Sequence, residues 1–99
     1  MQIKYSEIAN ITLQENLDFL EKNWTPREIN LFLDDVQRVL NELAQGNIQQ
    51  YQKSPLKTRS ALIGKKHIRM YFRQDGDSIK VLLFFDVRQN PQKIIELLK

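Results

Sequence analysis

The sequence has no cysteine, three prolines, three glycines, one tryptophan and one histidine in 99 residues. Without cysteine there is neither a disulfide framework nor a thiolate metal site. With one histidine there is no second imidazole for the common zinc sets. No Gly-rich phosphate loop is present, and no nucleophile motif surrounds a serine, so P-loop and hydrolase-triad chemistry lack support. No cofactor or metal is therefore expected. Long apolar runs are also missing, and the N-terminus alternates Gln2, Ile3, Lys4 and Tyr5. That pattern reads as neither a signal peptide nor a membrane span, and a cytoplasmic protein without membrane contact is expected. A chain this short supports one core, so residues 1–99 are read as a single domain burying roughly 65% of its unfolded surface.

Acid is what the middle of the chain lacks. Residues 43–74 carry seven bases (Lys53, Lys57, Arg59, Lys65, Lys66, Arg69 and Arg73) and no Asp or Glu, whereas residues 1–42 carry eight acids and four bases. The net charge of +3 hides this division. A basic middle suits an anionic partner, and it equally suits long cations solvating exposed strands.

Ile3 and Tyr5 alternate with polar neighbours, which predicts a short first strand. Thr12 and Glu15 have the spacing of a capping box, and Leu13, Leu17, Leu20 and Trp24 follow at helical intervals, predicting a helix to about Lys22. Thr25-Pro26-Arg27-Glu28 is a second helix start, with a capping residue, Pro in the first turn and Glu to close the box. Trp24 and Ile29 occupy the positions of a hydrophobic staple. Ile29, Phe32, Leu33, Val36, Leu40 and Leu43 trace the apolar stripe, and Gly46 fits the C-terminal cap. Two helices joined so closely fold back as an antiparallel hairpin.

Beyond Gly46 the period changes. Residues 47–56 read as a polar loop with a short edge strand. Residues 58–63 and 67–73 read as strands turned at Gly64-Lys65-Lys66. Asp75-Gly76 marks a tight hairpin turn, since such turns need positive φ. Val81 to Phe85 is continuously apolar, as in a central strand covered on both faces. After Asn90-Pro91, residues Ile94, Ile95, Leu97 and Leu98 suggest a tail helix. The fold class expected is α+β: a first strand, a helix hairpin, an antiparallel meander of about three strands, and a short C-terminal helix.

Alternation places Ile68, Met70 and Phe72 on one face of their strand, and His67, Arg69, Tyr71 and Arg73 on the other. Cations around an exposed ring suit RNA, where phosphates meet charge and bases stack. His67 is a candidate general acid or base because its ordinary pKa lies near neutrality. Asp34 and Asp35 sit side by side on a helix, where neighbours face apart, and read as solvated. Arg88 follows the apolar strand, two residues after Asp86. The two suit an ion pair anchoring the tail, or a cation aimed at a phosphate.

This layout, with the helix junction Asn23-Trp24-Thr25-Pro26 and the strand ending Phe85-Asp86-Val87-Arg88-Gln89-Asn90-Pro91, resembles the RelE/ParE toxin superfamily over roughly residues 2–95. The resemblance implies a growth-arresting toxin held by a cognate antitoxin protein, and a homo-oligomer is compatible with it. Two activities occur in the superfamily. ParE-like members inhibit DNA gyrase, and RelE-like members are ribosome-dependent mRNA endoribonucleases. In the second case the resemblance matches Arg88 to a catalytic arginine, and Arg69, Lys65, Lys66 and His67 would complete the site as stand-ins, a rearranged site and not a match. The sequence departs from the RelE pattern at Ile68, where a second arginine would stand, and at Ile94, where a tyrosine would. These departures and the long capped hairpin favour the ParE side.

Overall fold

The computed structural model describes residues 1–64 and 67–99. In chain order its elements are β1 (Gln2–Tyr5), α1 (Glu7–Asn23), α2 (Pro26–Ala44), β2 (Gln52–Ser54), β3 (Thr58–Ile63), β4 (Ile68–Asp75), β5 (Ser78–Asp86) and α3 (Gln92–Leu98). The strands form one sheet in the order β1-β5-β4-β3-β2. Strands β2 to β5 run antiparallel in sequence, and β1 lies parallel to β5. The meander thus has four strands where the sequence suggests about three, because the short edge strand forms. β5 is internal, as its apolar run demands.

A β-bulge decides which faces β5 covers. Tyr71 pairs with Leu83 while its neighbour Phe72 pairs with Val81, so Leu82 has no partner on β4. One extra residue reverses the side-chain alternation. Ile79, Val81 and Phe84 therefore join the helix-side core with Ile68, Met70 and Phe72. Leu83 and Phe85 point the other way and pack with Tyr71 beneath Ile94 and Leu98 of α3.

The first helix starts earlier than its sequence suggests. Ser6, not Thr12, is the N-cap, and its Oγ accepts from the Ala9 amide at 2.9 Å. Thr12 sits in the second turn and serves the sheet instead. β1 reaches only to the Tyr5–Val81 pair, so among the described residues no strand lies beside the edge of β5 beyond Val81. Side chains of α1 cover that edge. Ser6 Oγ donates to the Leu82 carbonyl (2.8 Å), Thr12 Oγ1 accepts from the Phe84 amide (2.9 Å), and Asn16 Nδ2 donates to the Phe84 carbonyl (3.2 Å). Buried backbone groups need such partners, and a free sheet edge is a liability.

The second helix follows expectation. Thr25 Oγ1 accepts from the Glu28 amide and the Glu28 carboxylate accepts from the Thr25 amide, each at 3.2 Å. Gly46 closes the helix with φ +86°. The Trp24 ring meets Phe32 edge-on, 6.2 Å between centroids. One position of the stripe differs, because Leu33 is 39% exposed and Val39 is fully buried. Buried Phe32, Val36, Val39, Leu40 and Leu43 keep helical spacing, and Leu33 falls about 100° off that line. In the β4–β5 turn the positive φ belongs to Gly76 alone, at +61°.

Glu42 ties α2 to the loop after it. Its carboxylate accepts from the Tyr51 hydroxyl, from Gln50 (2.7 Å) and from Arg38 (3.1 Å). The Tyr51 hydroxyl, and then Arg38, hold Glu42 below the usual carboxylate range against an opposing effect of burial. A depressed folded pKa stabilises the fold above the unfolded value, and that contribution is lost as pH falls through the folded pKa. Wild-type Tm should therefore drop below about pH 4, and Glu42→Gln should flatten that drop. Parallel melts of the two proteins from neutral to acid pH test this, and parallel curves would contradict it.

Candidate functional site

The strand ends where β4 begins and β5 finishes are pinned together, the Val87 amide donating to the His67 carbonyl at 2.7 Å. Beside them the C-terminal half of α1 stands off the sheet. The gap is a cleft of about 230 Å³ lined by Asn16, Phe19, Leu20, Asn23, Trp24, His67, Ile68, Asp86 and Arg88. A second, longer groove of about 700 Å³ continues between α1 and α3. Asn16, Phe19, Asp86 and Arg88 line both.

Arg88 stands at the junction, gripped by Asp86. Its Nη2 donates to Asp86 Oδ2 at 2.7 Å, its Nε to Oδ1 at 3.1 Å, and its backbone amide to Oδ1 at 2.9 Å. The Arg88 side-chain bond holds the Asp86 carboxyl below its usual range, with smaller help from the Arg88 amide and the His67 charge, against burial. Asp86 in turn raises the Arg88 pKa. The pair is bidentate and nearly neutral in sum. Among the described residues Nη1 of Arg88 makes none of these bonds. The ion pair read from the Asp86–Arg88 spacing is present, and it fixes the chain as it leaves the sheet.

His67 and Arg88 thus line the same cleft, although 21 positions separate them in the sequence. Arg69 is not part of it. It lies on the opposite face from the helix-side core, paired in register with Leu62 and Phe85, and its Nη1 donates to Ser60 Oγ at 2.9 Å. Lys65 and Lys66 lie outside the described residues. Tyr71, read as a stacking surface, is only 5% exposed beneath α3, and burial raises the pKa of its hydroxyl. The bulge and the tail helix place that ring in a core, so it cannot receive a base. Ile94 helps to cover it. Asp35 is not merely solvated, since it accepts from the Gly64 amide (2.6 Å) and from Arg38 (2.8 Å).

Sequence reasoning missed the helix wall. Asn16 and Thr12 interrupt the apolar flank of α1, a polar signal that marks edge-covering bonds. Ile8, Ile11 and Phe19 are 40%, 48% and 51% exposed on the groove side. Leu97 of α3 faces them across the groove. Apolar side chains concentrated at one groove mark an interaction surface rather than scattered exposure. Among the described residues no group of His, Cys, Asp or Glu could hold a metal ion, and no helix is long and apolar enough to cross a membrane.

No family model matches the sequence, and neither does any curated protein. A solved structure described as the chromosomal ParDE TA system from P. aeruginosa does match. The superposition has a TM-score of 0.73 and covers 88% of this chain and 96% of the other. The chain has a ParE-like fold. At 20% identity the likeness is one of architecture, and it bears out the α+β layout of first strand, helix hairpin, sheet and tail helix. The ParE-like fold accounts for why the elements follow in this order, and the site must speak for chemistry.

Proposed function

We propose that this chain is the toxin of a type II toxin–antitoxin pair, that it is neutralised by a cognate antitoxin, and that it acts in the ParE manner, by protein contact with DNA gyrase. The observation that carries the reading is the pairing of Arg88 with Asp86 beside an apolar groove. Cleaving RNA requires unneutralised positive charge at the phosphorane and a proton donor to the leaving oxygen. Among the described residues, the cleft's arginine is held by a carboxylate, Arg69 is elsewhere, and the Tyr71 ring is buried. Ile8, Ile11, Phe19 and Leu97 supply what a protein partner requires instead.

A specific observation favours a second reading, the ribosome-dependent mRNA endoribonuclease. His67 and Arg88 share the cleft, so a candidate proton donor and a cation line one ligand-sized space. Inducible expression in a bacterium, with primer extension on mRNA and plasmid topology from one culture, separates the two. Growth arrest with intact mRNA and gyrase-linked DNA breaks is expected. Arrest with mRNA cuts that vanish in Arg88→Ala would establish the nuclease, and absence of any arrest would leave a non-toxic interaction domain.

A further inference from the structure

Three cations lie in a row across the sheet. Lys4 on β1 stands in register with Lys80 on β5, and Lys80 with Arg73 on β4. Their neighbours Ile3, Ile79, Val81 and Phe72 belong to the helix-side core. Side chains alternate along a strand, so all three cations point to the opposite face. Lys4 and Arg73 are exposed, and Lys80 is partly so. Like charges directly opposite one another on neighbouring strands cost stability. Among the described residues the ion pairs are those of Arg38 and Arg88, so no carboxylate is paired with the row. Asp75, on the same face of β4, stands in register with Ser78 instead. A local cost kept without a compensating contact points to a functional surface.

We propose that this row binds the phosphate backbone of duplex DNA, without regard to base sequence. Neighbouring strands stand about 4.8 Å apart, so the three cations span about 10 Å across the sheet. Duplex DNA carries about one charge per 1.7 Å of its axis, enough to pair with all three, and binding releases the counterions condensed there. The two lysines supply flexible point charges, and Arg73 a planar fork that holds two oxygens of one phosphate. Single strands are bound differently, by bases stacked on aromatic rings. The rings of this face, Tyr71 and Phe85, are buried beneath α3, so a single strand would lose that contribution. A lipid surface needs apolar side chains that enter it, and the adjoining row of Gln2, Ser78 and Asp75 is polar. The inference depends on neither toxicity nor the choice of target, and its failure would leave the toxin reading untouched.

The test is fluorescence anisotropy on the full chain with a short labelled duplex DNA, titrated at several salt concentrations. A duplex of unrelated sequence, a single-stranded RNA of equal length and polyglutamate are the competitors. The two duplexes should bind alike, with Kd on the order of 10⁻⁶–10⁻⁴ M near physiological salt. Both should bind more tightly than the RNA or polyglutamate. Affinity should fall linearly with salt on logarithmic axes. Lys4→Gln, Lys80→Gln and Arg73→Gln should each flatten that slope by about 0.9, the contribution of one phosphate contact. Lys22→Gln, in the last turn of α1, should leave it unchanged. Thermal melts guard against misfolding, because relief of the like-charge contact means that Lys80→Gln should melt no lower than the wild type. Lack of binding, RNA or polyglutamate bound as tightly as the duplex, or a slope that the three row variants change no more than Lys22→Gln does would each overturn the proposal. A lower melting temperature for Lys80→Gln would overturn the like-charge argument on which it stands.

Discussion

Replacing Phe72 with alanine is expected to lower stability by about 3–5 kcal/mol, the range for emptying a phenylalanine site in a packed core. Phe72 is fully buried. It sits between Arg59 on β3 and Val81 on β5, next to the bulge, and its ring meets Tyr51 edge-on at 5.6 Å and 89°. The cavity would open where the sheet, α2 and the loop after it converge, so no single element can move in to close it. Tyr51 would lose its ring partner while still bound to Glu42, which hinders its collapse into the space. A protein of this size holds about 5–15 kcal/mol in all, so a large share of the margin would go. Urea unfolding should show the midpoint falling by about 2 M for a typical slope. Leu33→Ala, at an exposed site on α2, should change stability by no more than about 0.5 kcal/mol. A loss below about 1 kcal/mol for Phe72→Ala would mean that the core relaxes around the hole, against the close packing argued here.

Thr12→Val is the second large effect. Valine keeps the shape and the branched Cβ of threonine, so helix packing is preserved and only the hydroxyl is lost. That hydroxyl accepts from the buried Phe84 amide at 2.9 Å and donates to the Ile8 carbonyl at 2.7 Å. Ile8 is a helical residue whose carbonyl still has its backbone bond, so its loss is minor. Among the described residues no strand lies beside Phe84 on that side, and its N–H would be buried without a partner. The cost of such a group is about 1–3 kcal/mol. Thr12→Ser keeps the hydroxyl and should lose far less. The more local readout is hydrogen exchange of the Phe84 amide, which should accelerate in Thr12→Val and stay protected in Thr12→Ser. Equal stability of the two variants would show that the bond between helix and sheet edge contributes nothing.

Both expectations rest on features of unequal legibility. Phe72 could be assigned to the core from the alternation of Ile68, Met70 and Phe72, because β4 is regular and period two is enough. Thr12 could not. Its spacing to Glu15 satisfies a capping rule, and local pattern cannot reveal that Ser6 caps first or that a sheet edge lies alongside. The Asp86–Arg88 pair was legible from a separation of two residues. The cleft that joins Arg88 to His67 was not, since it depends on β4 and β5 meeting end to end. Tyr71 was assigned to the correct face, but that face is covered by a helix from the far end of the chain.

Sequence alone determined the helix junction at Thr25-Pro26, the close of α2 at Gly46, the β4–β5 turn at Gly76 and the central place of Val81 to Phe85. Each is set by capping, by φ or by an apolar run, over a few neighbouring residues. Tertiary structure decided the parallel seating of β1, the reversal of alternation at Leu82, the burial of Tyr71, and the cations drawn around the end of β4. Those depend on which distant segments lie side by side, and pairing across tens of residues leaves no mark in the local pattern of either strand.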